Sequence, residues 1–340
     1  MRILVIGGNG FLGRPLVTEL VRNGHNVAVL HRNPADSQGA QVEQMRGDRN
    51  RLADSMADMR HFAPQIIVDM ILSSANQADE IAEFARTIGA RVVAISSMDV
   101  YRAFGIVLGS ESGPLEPMPL TEDSALRTGP RSYPPEVVKT MKQIFTWLDE
   151  NYDKVAVEQA IMRAGTANTI VRLPMVYGPG DPLHRMYGVL RRVADGRAAI
   201  ILPDDHAAWR GPRGYVGNVA HAIALAATSD AARGRTYHIC EEPCLTELEW
   251  QQQIAAQANW GGKFVVLPKA AVPPHLFMPG NAAQHVVAKC DRIRNELGYR
   301  EPFSTSAAIR QTIAWEGENP PATAGFHRFD YAAEDAALAP

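Results

Sequence analysis

The sequence predicts an α/β fold built on a doubly wound parallel sheet. Three observations lead there: short continuous apolar runs, amphipathic stretches between them, and glycines at the first junction. Ile3, Leu4, Val5 and Ile6 form an unbroken apolar run, the pattern of a central parallel strand covered on both faces. Gly7, Gly10 and Gly13 interrupt it. From residue 11 to residue 23, Phe11, Leu12, Leu16, Val17, Leu20 and Val21 recur at helical spacing, and Gly24 supplies the stop. Val27, Ala28, Val29 and Leu30 then make a second strand, which completes a βαβ unit.

The alternation continues. Residues 65–70, 91–95 and 169–173 are further apolar strands, with helical spacing in residues 77–88 and 154–162 between them. Strands alternating with helices place helices on both faces of a parallel sheet. Residues 102–135 break the rhythm with Pro114, Pro117, Pro119, Pro130, Pro134 and Pro135, and read as a long irregular segment of the kind that covers or builds a site. Gly178, Pro179, Gly180, Asp181 and Pro182 lead into a new region. At 340 residues the chain exceeds the ~250–300 at which single cores stop growing. The expected division is residues 1–172 plus 215–240 for the sheet domain, residues 173–214 plus 241–318 for a smaller interleaved lobe, and residues 319–340 for a tail adding little core.

Composition narrows the function classes. Hydrophobic content of 46% and charged content of 21% exclude a wholly disordered chain. A net charge of −3, from 34 basic and 37 acidic residues, leaves no broad basic field for a nucleic-acid backbone. No run approaches the ~20 apolar residues of a membrane helix, and the apolar start is too short for a signal-peptide core. The expected compartment is the cytoplasm. Cys240, Cys244 and Cys290 are too few for a disulfide framework. With His238 they lack the Cys-x2-Cys spacing usual in a closed four-ligand zinc site, so reduced, packed thiols and no metal are expected.

Glycines at 7, 10 and 13, set between a buried strand and an amphipathic helix, have a mechanical reason. They let the chain turn tightly, approach a pyrophosphate without a Cβ in the way, and pack the helix close to the strand. The helix then offers its N-terminal N–H groups and positive dipole end to the phosphates. The reading is a dinucleotide cofactor. The second strand ends in His31-Arg32-Asn33. An acidic residue there would bind a ribose 2′-hydroxyl, whereas Arg accommodates a 2′-phosphate, so NADP is preferred to NAD.

The spacing Gly-x-x-Gly-x-x-Gly resembles the extended branch of the short-chain dehydrogenase/reductase superfamily, the NAD-dependent epimerases and dehydratases. Gly47-Asp48-Arg49 is similar to that family's adenine-contacting Asp after the third strand. Ser96-Ser97-Met98-Asp99-Val100-Tyr101 resembles its Ser-Ser-x-x-Val-Tyr strand end, and Arg172-Leu173-Pro174-Met175-Val176-Tyr177-Gly178-Pro179 its nicotinamide loop. Tyr215-Val216-Gly217-Asn218-Val219-Ala220 resembles Tyr-Val-x-Asp-Val-Ala, with Asn218 in place of Asp. The resemblance covers roughly residues 1–240. It implies a Rossmann-like sheet with a substrate-binding lobe. The cofactor would lie on Gly7, Gly10, Phe11, Leu12, Gly13, His31, Arg32, Asp48, Lys154, Pro174 and Val176. Ser97 would hydrogen-bond the substrate, with Asp99 and Tyr101 as further substrate contacts.

One departure matters. The superfamily's chemistry uses Tyr-x-x-x-Lys, with both side chains on one helix face and the Lys lowering the Tyr pKa. Lys154 and Glu158 resemble the family's Lys-x-x-x-Glu, but four residues before Lys154 stands Glu150. The nearest tyrosine is Tyr152, which a regular helix would turn ~200° away from Lys154. Tyr152 joins the catalytic set only if the backbone at 151–153 is non-helical, which Asn and Asp favour. Otherwise proton transfer falls to Asp99 or Tyr101.

Two functions follow. One is an NAD(P)-dependent, epimerase/dehydratase-like oxidoreductase acting on a hydroxyl or keto group of a sugar-like or nucleotide-sugar substrate. The other is a non-catalytic NAD(P)-binding sensor with a degenerate Tyr-x-x-x-Lys motif. The resemblance favours the enzyme. It also places an arginine that grips a nucleotide-sugar diphosphate just before the Tyr215 motif, where Arg210 and Arg213 both stand. The expected partner is a small molecule, with no nucleic acid, no membrane, and room for a homodimer.

Overall fold

The apolar runs become neighbours in one sheet. The computed structural model describes residues 1–32, 41–129, 133–165, 167–325 and 327–339. Asn33 and Pro130 lie outside the described residues. In chain order the strands are β1 (Arg2–Ile6), β2 (Asn26–His31), β3 (Val42–Arg46), β4 (Ile66–Asp69), β5 (Arg91–Ser97), β6 (Thr169–Leu173), β7 (Met175–Tyr177), β8 (Ala199–Pro203), β9 (Arg213–Tyr215), β10 (Thr236–His238) and β11 (Lys263–Leu267). The main sheet runs β10-β6-β5-β4-β1-β2-β3, and every neighbouring pair is parallel. Two further parallel pairs, β7 with β9 and β8 with β11, lie outside it.

The helices are α1 (Gly13–Arg22), α2 (Met56–Phe62), α3 (Ala75–Ile88), α4 (Arg102–Leu108), α5 (Pro135–Ile144), α6 (Lys154–Arg163) and α7 (Tyr187–Ala194). They continue with α8 (Asp204–Ala208), α9 (Val216–Thr228), α10 (Glu247–Gln257), α11 (Asp291–Leu297), α12 (Thr305–Glu318) and α13 (Tyr331–Leu338). Alternate residues of β1 explain why its run is unbroken. Ile3 and Val5 join the core that holds Leu16 and Leu20 of α1 and Ala222 and Ile223 of α9. Leu4 and Ile6 join the opposite core, with Ile81 and Phe84 of α3 and Val157 and Ile161 of α6. Strand order reverses on either side of β1, so a crevice opens at the carboxyl ends of β1 and β4.

One strand is not marked by an apolar run, and two regions differ from the sequence expectation. The edge strand β3 buries Val42 and Met45 but exposes Glu43, Gln44 and Arg46, so it lacks a continuous apolar run. The segment at 102–135 is not structureless: α4 buries Ala103, Ile106 and Val107, and α5 starts on Pro135, where a missing N–H costs nothing. The tail also contributes more than expected. Glu334 of α13 is only 1% exposed and pairs with Arg192 of α7 (2.5 Å), whose guanidinium lies 4.9 Å from the Phe329 ring.

Removing one partner of a buried pair leaves the other charge uncompensated. Glu334→Ala is therefore expected to lower the unfolding free energy by about 3–5 kcal/mol in urea titrations. An unchanged midpoint would mean that α13 does not staple the fold.

Candidate active site

The glycine turn opens the crevice. Gly7 follows β1 with φ of +82°, and a Cβ on it would meet Ile71 at 2.9 Å. A Cβ on Gly13 would stand 2.4 Å from the Gly7 carbonyl oxygen, so α1 packs here only as glycine. Gly10 is different: its Cβ would meet nothing nearer than that oxygen, at 3.4 Å. The fold itself has room at Gly10. A group lying across the turn is what would need that room, as a pyrophosphate at the start of α1 does.

Two cavities adjoin the turn. The larger, about 510 Å³, is lined by Gly7, Gly10, Phe11, Leu12, Gly13, Ser97, Asp99, Tyr152, Lys154, Pro174 and Val176, and is walled by Phe104, Tyr133, Met141, Phe145 and Trp147. The smaller, about 220 Å³, is lined by His31, Arg32, Gly47, Asp48 and Arg49. Gly7, Gly10, Ile71 and Trp147 line both, so the two form one groove across the switch point. The residues fit a dinucleotide laid along it. His31 closes β2 at 8% exposure, and among the described residues neither ring nitrogen has a hydrogen-bond partner. Arg32 is exposed and donates to Thr146 Oγ1 (2.6 Å). Asp48 accepts from Asn50 N (2.9 Å) and so fixes the turn after β3. Arg49 is held by Asp69 (2.7 Å) and Glu80 (3.0 Å).

The backbone before Lys154 is extended, not helical. Asp153 has φ −156° and ψ 104° and caps α6 by accepting from Val155 N (3.0 Å). Tyr152 therefore escapes the ~200° rotation of a helix. Its hydroxyl donates to Asp99 Oδ2 (2.8 Å), and its ring centroid lies 5.8 Å from Lys154 Nζ. Asp99 follows β5, is fully buried, and keeps Oδ1 without a partner among the described residues. Ser97 Oγ accepts from Asp99 N (3.2 Å), which leaves its own proton to donate.

Electrostatics separate these groups. Burial drives the Tyr152 hydroxyl well above the usual tyrosine range, and the charge of Asp99 adds to it. Burial likewise raises the Asp99 carboxyl, against the opposing Tyr152 hydrogen bond and the Arg127 charge. The Lys154 ammonium is lowered to about 8 by burial, with Asp99, Asp69 and Glu158 opposing. Lys154 Nζ donates to the carbonyls of Ile95 (2.9 Å) and Leu72. One of its three N–H groups remains for a cofactor ribose.

Other expected residues lie elsewhere. Tyr101 does not reach the cleft: its hydroxyl, wholly buried, donates to His238 Nδ1 (2.9 Å) and accepts from Arg172 (3.0 Å). Arg213 is committed to Glu247 and lies 5.1 Å from the Trp250 ring, and Arg210 donates to the Cys244 carbonyl (2.8 Å). Neither arginine lines the cleft, although Pro212 between them does, and both are engaged elsewhere rather than turned to an anion in it. Arg213 opens β9 and meets a carboxylate of α10, while Arg210, between α8 and β9, meets a carbonyl just ahead of α10. Cys240 and Cys290 bring their sulfurs to 3.3 Å, and with Glu242 these ligand atoms lie within 4.8 Å of one another. His238 is bound to Tyr101 and the Lys289 carbonyl, not to this group. Sequence reasoning missed Tyr133, Arg185 and the aromatic wall at 145–147. The Gly178–Pro182 stretch marked only that something begins near Arg185.

A glycine-bridged groove beside a Ser-Asp-Tyr-Lys cluster at the carboxyl ends of β1, β4 and β5 defines a nucleotide-dependent oxidoreductase scaffold. Residues 3–240 match the NAD dependent epimerase/dehydratase family, and the chain belongs to it. A 3-diazoavenalumate denitrifying reductase from Streptomyces sp is 26% identical over 314 residues, 88% of this chain and 96% of the relative. The fold is shared with MoeE5 in complex with UDP-glucuronic acid and NAD (TM-score 0.68, 18% identity, 94% of this chain and 99% of that one). It is shared also with dTDP-glucose 4,6-dehydratase from Bacillus anthracis str. Ames in complex with NAD (TM-score 0.68, 14% identity, 94% and 97% covered). Family membership makes the protein an NAD(P)-dependent enzyme. Among the described residues, no helix is long and apolar enough to cross a membrane.

The Lys154 value carries a pH test. The ammonium is present below about pH 8 and is lost as pH rises through it. NADP affinity, followed by fluorescence titration, should weaken from pH 7 to pH 9. Lys154→Met should bind weakly at both pH values and lose that dependence.

Proposed function

We propose that the protein is an NADP-preferring oxidoreductase that interconverts a hydroxyl and a keto group on a small-molecule substrate bound in the larger cavity. The observation that carries this reading is the meeting of Tyr152, Asp99, Ser97 and Lys154 beside the glycine turn. Residues 1–172 plus 215–240 act as the cofactor domain in this reading, and the interleaved segments close over the substrate. A solved relative bound to UDP-glucuronic acid and a second that is a dTDP-glucose 4,6-dehydratase put nucleotide sugars first in the substrate panel. The diazo compound of the Streptomyces reductase belongs beside them. The cytoplasm as compartment and a homodimer as assembly are part of the same proposal.

The nicotinamide of a bound cofactor would supply or accept the hydride. The protein handles the proton. Ser97 donates its hydroxyl hydrogen to the substrate oxygen and so fixes that oxygen near Tyr152. In reduction, Tyr152 gives its proton to the oxygen and takes one back from Asp99. In oxidation the same protons run in reverse, from substrate to Tyr152 Oη to Asp99. Burial favours this by raising the carboxyl, which makes Asp99 a better proton acceptor than an exposed aspartate. Lys154, anchored on the Ile95 and Leu72 carbonyls, positions the cofactor ribose.

Tyr152→Phe keeps the ring and removes only the hydroxyl. It is expected to lower kcat by ~10²-fold or more while leaving NADP affinity within ~2-fold. Unchanged kcat would remove Tyr152 from the reaction. No turnover across the panel, with tight NADP binding, would favour the sensor reading.

The NADP preference rests on the end of β2, where His31 and Arg32 replace an acidic residue and both line the adenosine end of the groove. A 2′-phosphate there would draw Arg32 away from Thr146 and meet the His31 ring, which has no hydrogen-bond partner among the described residues. Arg32→Asp should weaken NADP binding by about 10–100-fold, the range of a lost charged hydrogen bond, and NAD binding far less. Wild-type protein that binds NAD more tightly than NADP in calorimetry would refute this preference.

A further inference from the structure

We propose that Arg185 is the residue that grips an oxyanion on the substrate, carboxylate or diphosphate. The inference rests on the reading that the larger cavity takes the substrate. It begins from the two arginines that are otherwise occupied. Arg213 is paired with Glu247 and Arg210 with the Cys244 carbonyl, both away from the cleft. Among the described residues that line the cleft, the cations are Lys154 and Arg185. Lys154 is held by two backbone carbonyls on the cofactor side. Arg185 is left to meet a substrate charge.

Its setting is preorganised. Asp181, 1% exposed, accepts from Arg185 Nη1 (2.6 Å) through Oδ1, and Oδ2 accepts from Arg185 N (3.2 Å). Asp181 Oδ1 also accepts from Leu183 N (3.0 Å). The next residue back, His184, is fixed by Glu316 (2.7 Å) and stacks on Trp315 with centroids 5.3 Å apart. The loop is thus tied to α12. One guanidinium nitrogen is used. Among the described residues, Nε and Nη2 of Arg185 make no hydrogen bond, although its side chain is 29% exposed and lines the cavity. Held in this way, the planar fork keeps donors for two oxygens of an incoming anion. Neutralising Asp181 alone would not require a position on the cleft wall.

The walls strengthen the contact. Phe104, Tyr133, Met141, Phe145 and Met175 line the same cavity, and Arg185 is near enough to Tyr133 to influence its hydroxyl. Apolar walls lower the local dielectric, so one guanidinium attracts an anion more strongly there than at an open surface. The same walls favour a flat or apolar body next to the anionic group.

The test is calorimetry on NADP⁺-loaded protein, with UDP-glucose and trans-cinnamate as anionic probes and cinnamyl alcohol as the uncharged counterpart. At least one anionic probe should bind. Arg185→Leu should weaken it by about 10-fold or more, the lower end for a charged hydrogen bond, with NADP⁺ affinity unchanged. Arg185→Lys, which keeps the charge and loses the fork, should fall between. Because Leu leaves Asp181 without a side-chain donor, Arg185→Gln, which removes the charge but keeps an N–H for Asp181, serves as the second variant, and retained NADP⁺ binding certifies its fold. Sensitivity of UDP-glucose identifies the diphosphate, and sensitivity of cinnamate the carboxylate. The proposal is overturned if neither anionic probe binds the wild type. It is equally overturned if the Leu and Gln variants bind the probe as the wild type does, or if cinnamyl alcohol loses affinity as much as cinnamate. Unchanged anion affinity in these variants, with kcat still lost in Tyr152→Phe, would sink the Arg185 assignment and leave the proposed reaction standing.

Discussion

The site depends on a buried ion pair that does not touch it. Glu158 of α6 accepts from Arg172 of β6 (2.8 and 3.0 Å) and from Ser96 of β5 (2.6 Å), all three nearly without solvent contact. Arg172 then donates to Tyr101 and to the Glu122 carbonyl, and Tyr101 reaches His238 at the end of β10. One carboxylate thereby joins a helix to the carboxyl ends of two strands, and the network carries on to a third. Such a pair adds little net stability against a well-packed apolar substitute, because desolvation offsets its attraction. What it gives is position. Lys154 lies one turn before Glu158 on α6, and Ser97 and Asp99 follow Ser96 directly, so the register of Glu158 sets where all three stand.

Position alone would not bring Tyr152 in. A helical path from residue 150 would have turned the phenol away from Lys154. The Asp153 side chain instead takes the Val155 N–H, and Arg127 pairs with the same carboxylate (3.2 Å) while donating to the Asp99 carbonyl (2.7 Å). That arrangement starts α6 at Lys154 and leaves residues 151–153 outside the helix. Tyr152 can then pack with Val138 and Leu148 and reach Asp99. The two-residue spacing is compatible with the chemistry because the cap breaks the helix first.

The sequence made the sheet, the glycine turn and Lys154 legible because each is set by local pattern. β1 declares itself through an apolar run, and Gly13 through a contact no side chain could make. Glu158 was also readable from its spacing, although nothing in the spacing named its partners, Arg172 and Ser96. Tyr101 was not readable: its motif predicts the cleft, but only the packing of His238 behind it shows that the hydroxyl points inward. Arginines were the least legible. Arg185, Arg210 and Arg213 look alike in sequence, and their fates are decided by which carboxylate or carbonyl the tertiary fold brings nearest. The aromatic wall escaped for another reason. Tyr133, Phe145 and Trp147 belong to a proline-bounded cover whose small cluster shows no long periodicity.

The electrostatics of the cluster also bear on direction. Where a lysine lies one turn after the tyrosine, its charge lowers the phenol pKa and prepares a base. Here Lys154 spends two donors on carbonyls, and the hydroxyl of Tyr152 faces a carboxyl group. Burial and Asp99 both push the phenol up, so it begins the reaction protonated. Burial raises Asp99 as well, which makes its carboxylate a better proton acceptor than an exposed aspartate. A phenol held protonated is ready as a general acid, and a step that needs it as a base has first to move that proton to the one carboxylate oxygen beside it, Asp99 Oδ2. The geometry that replaces Tyr-x-x-x-Lys thus exchanges a lysine that lowers the phenol for a carboxylate that accepts from it.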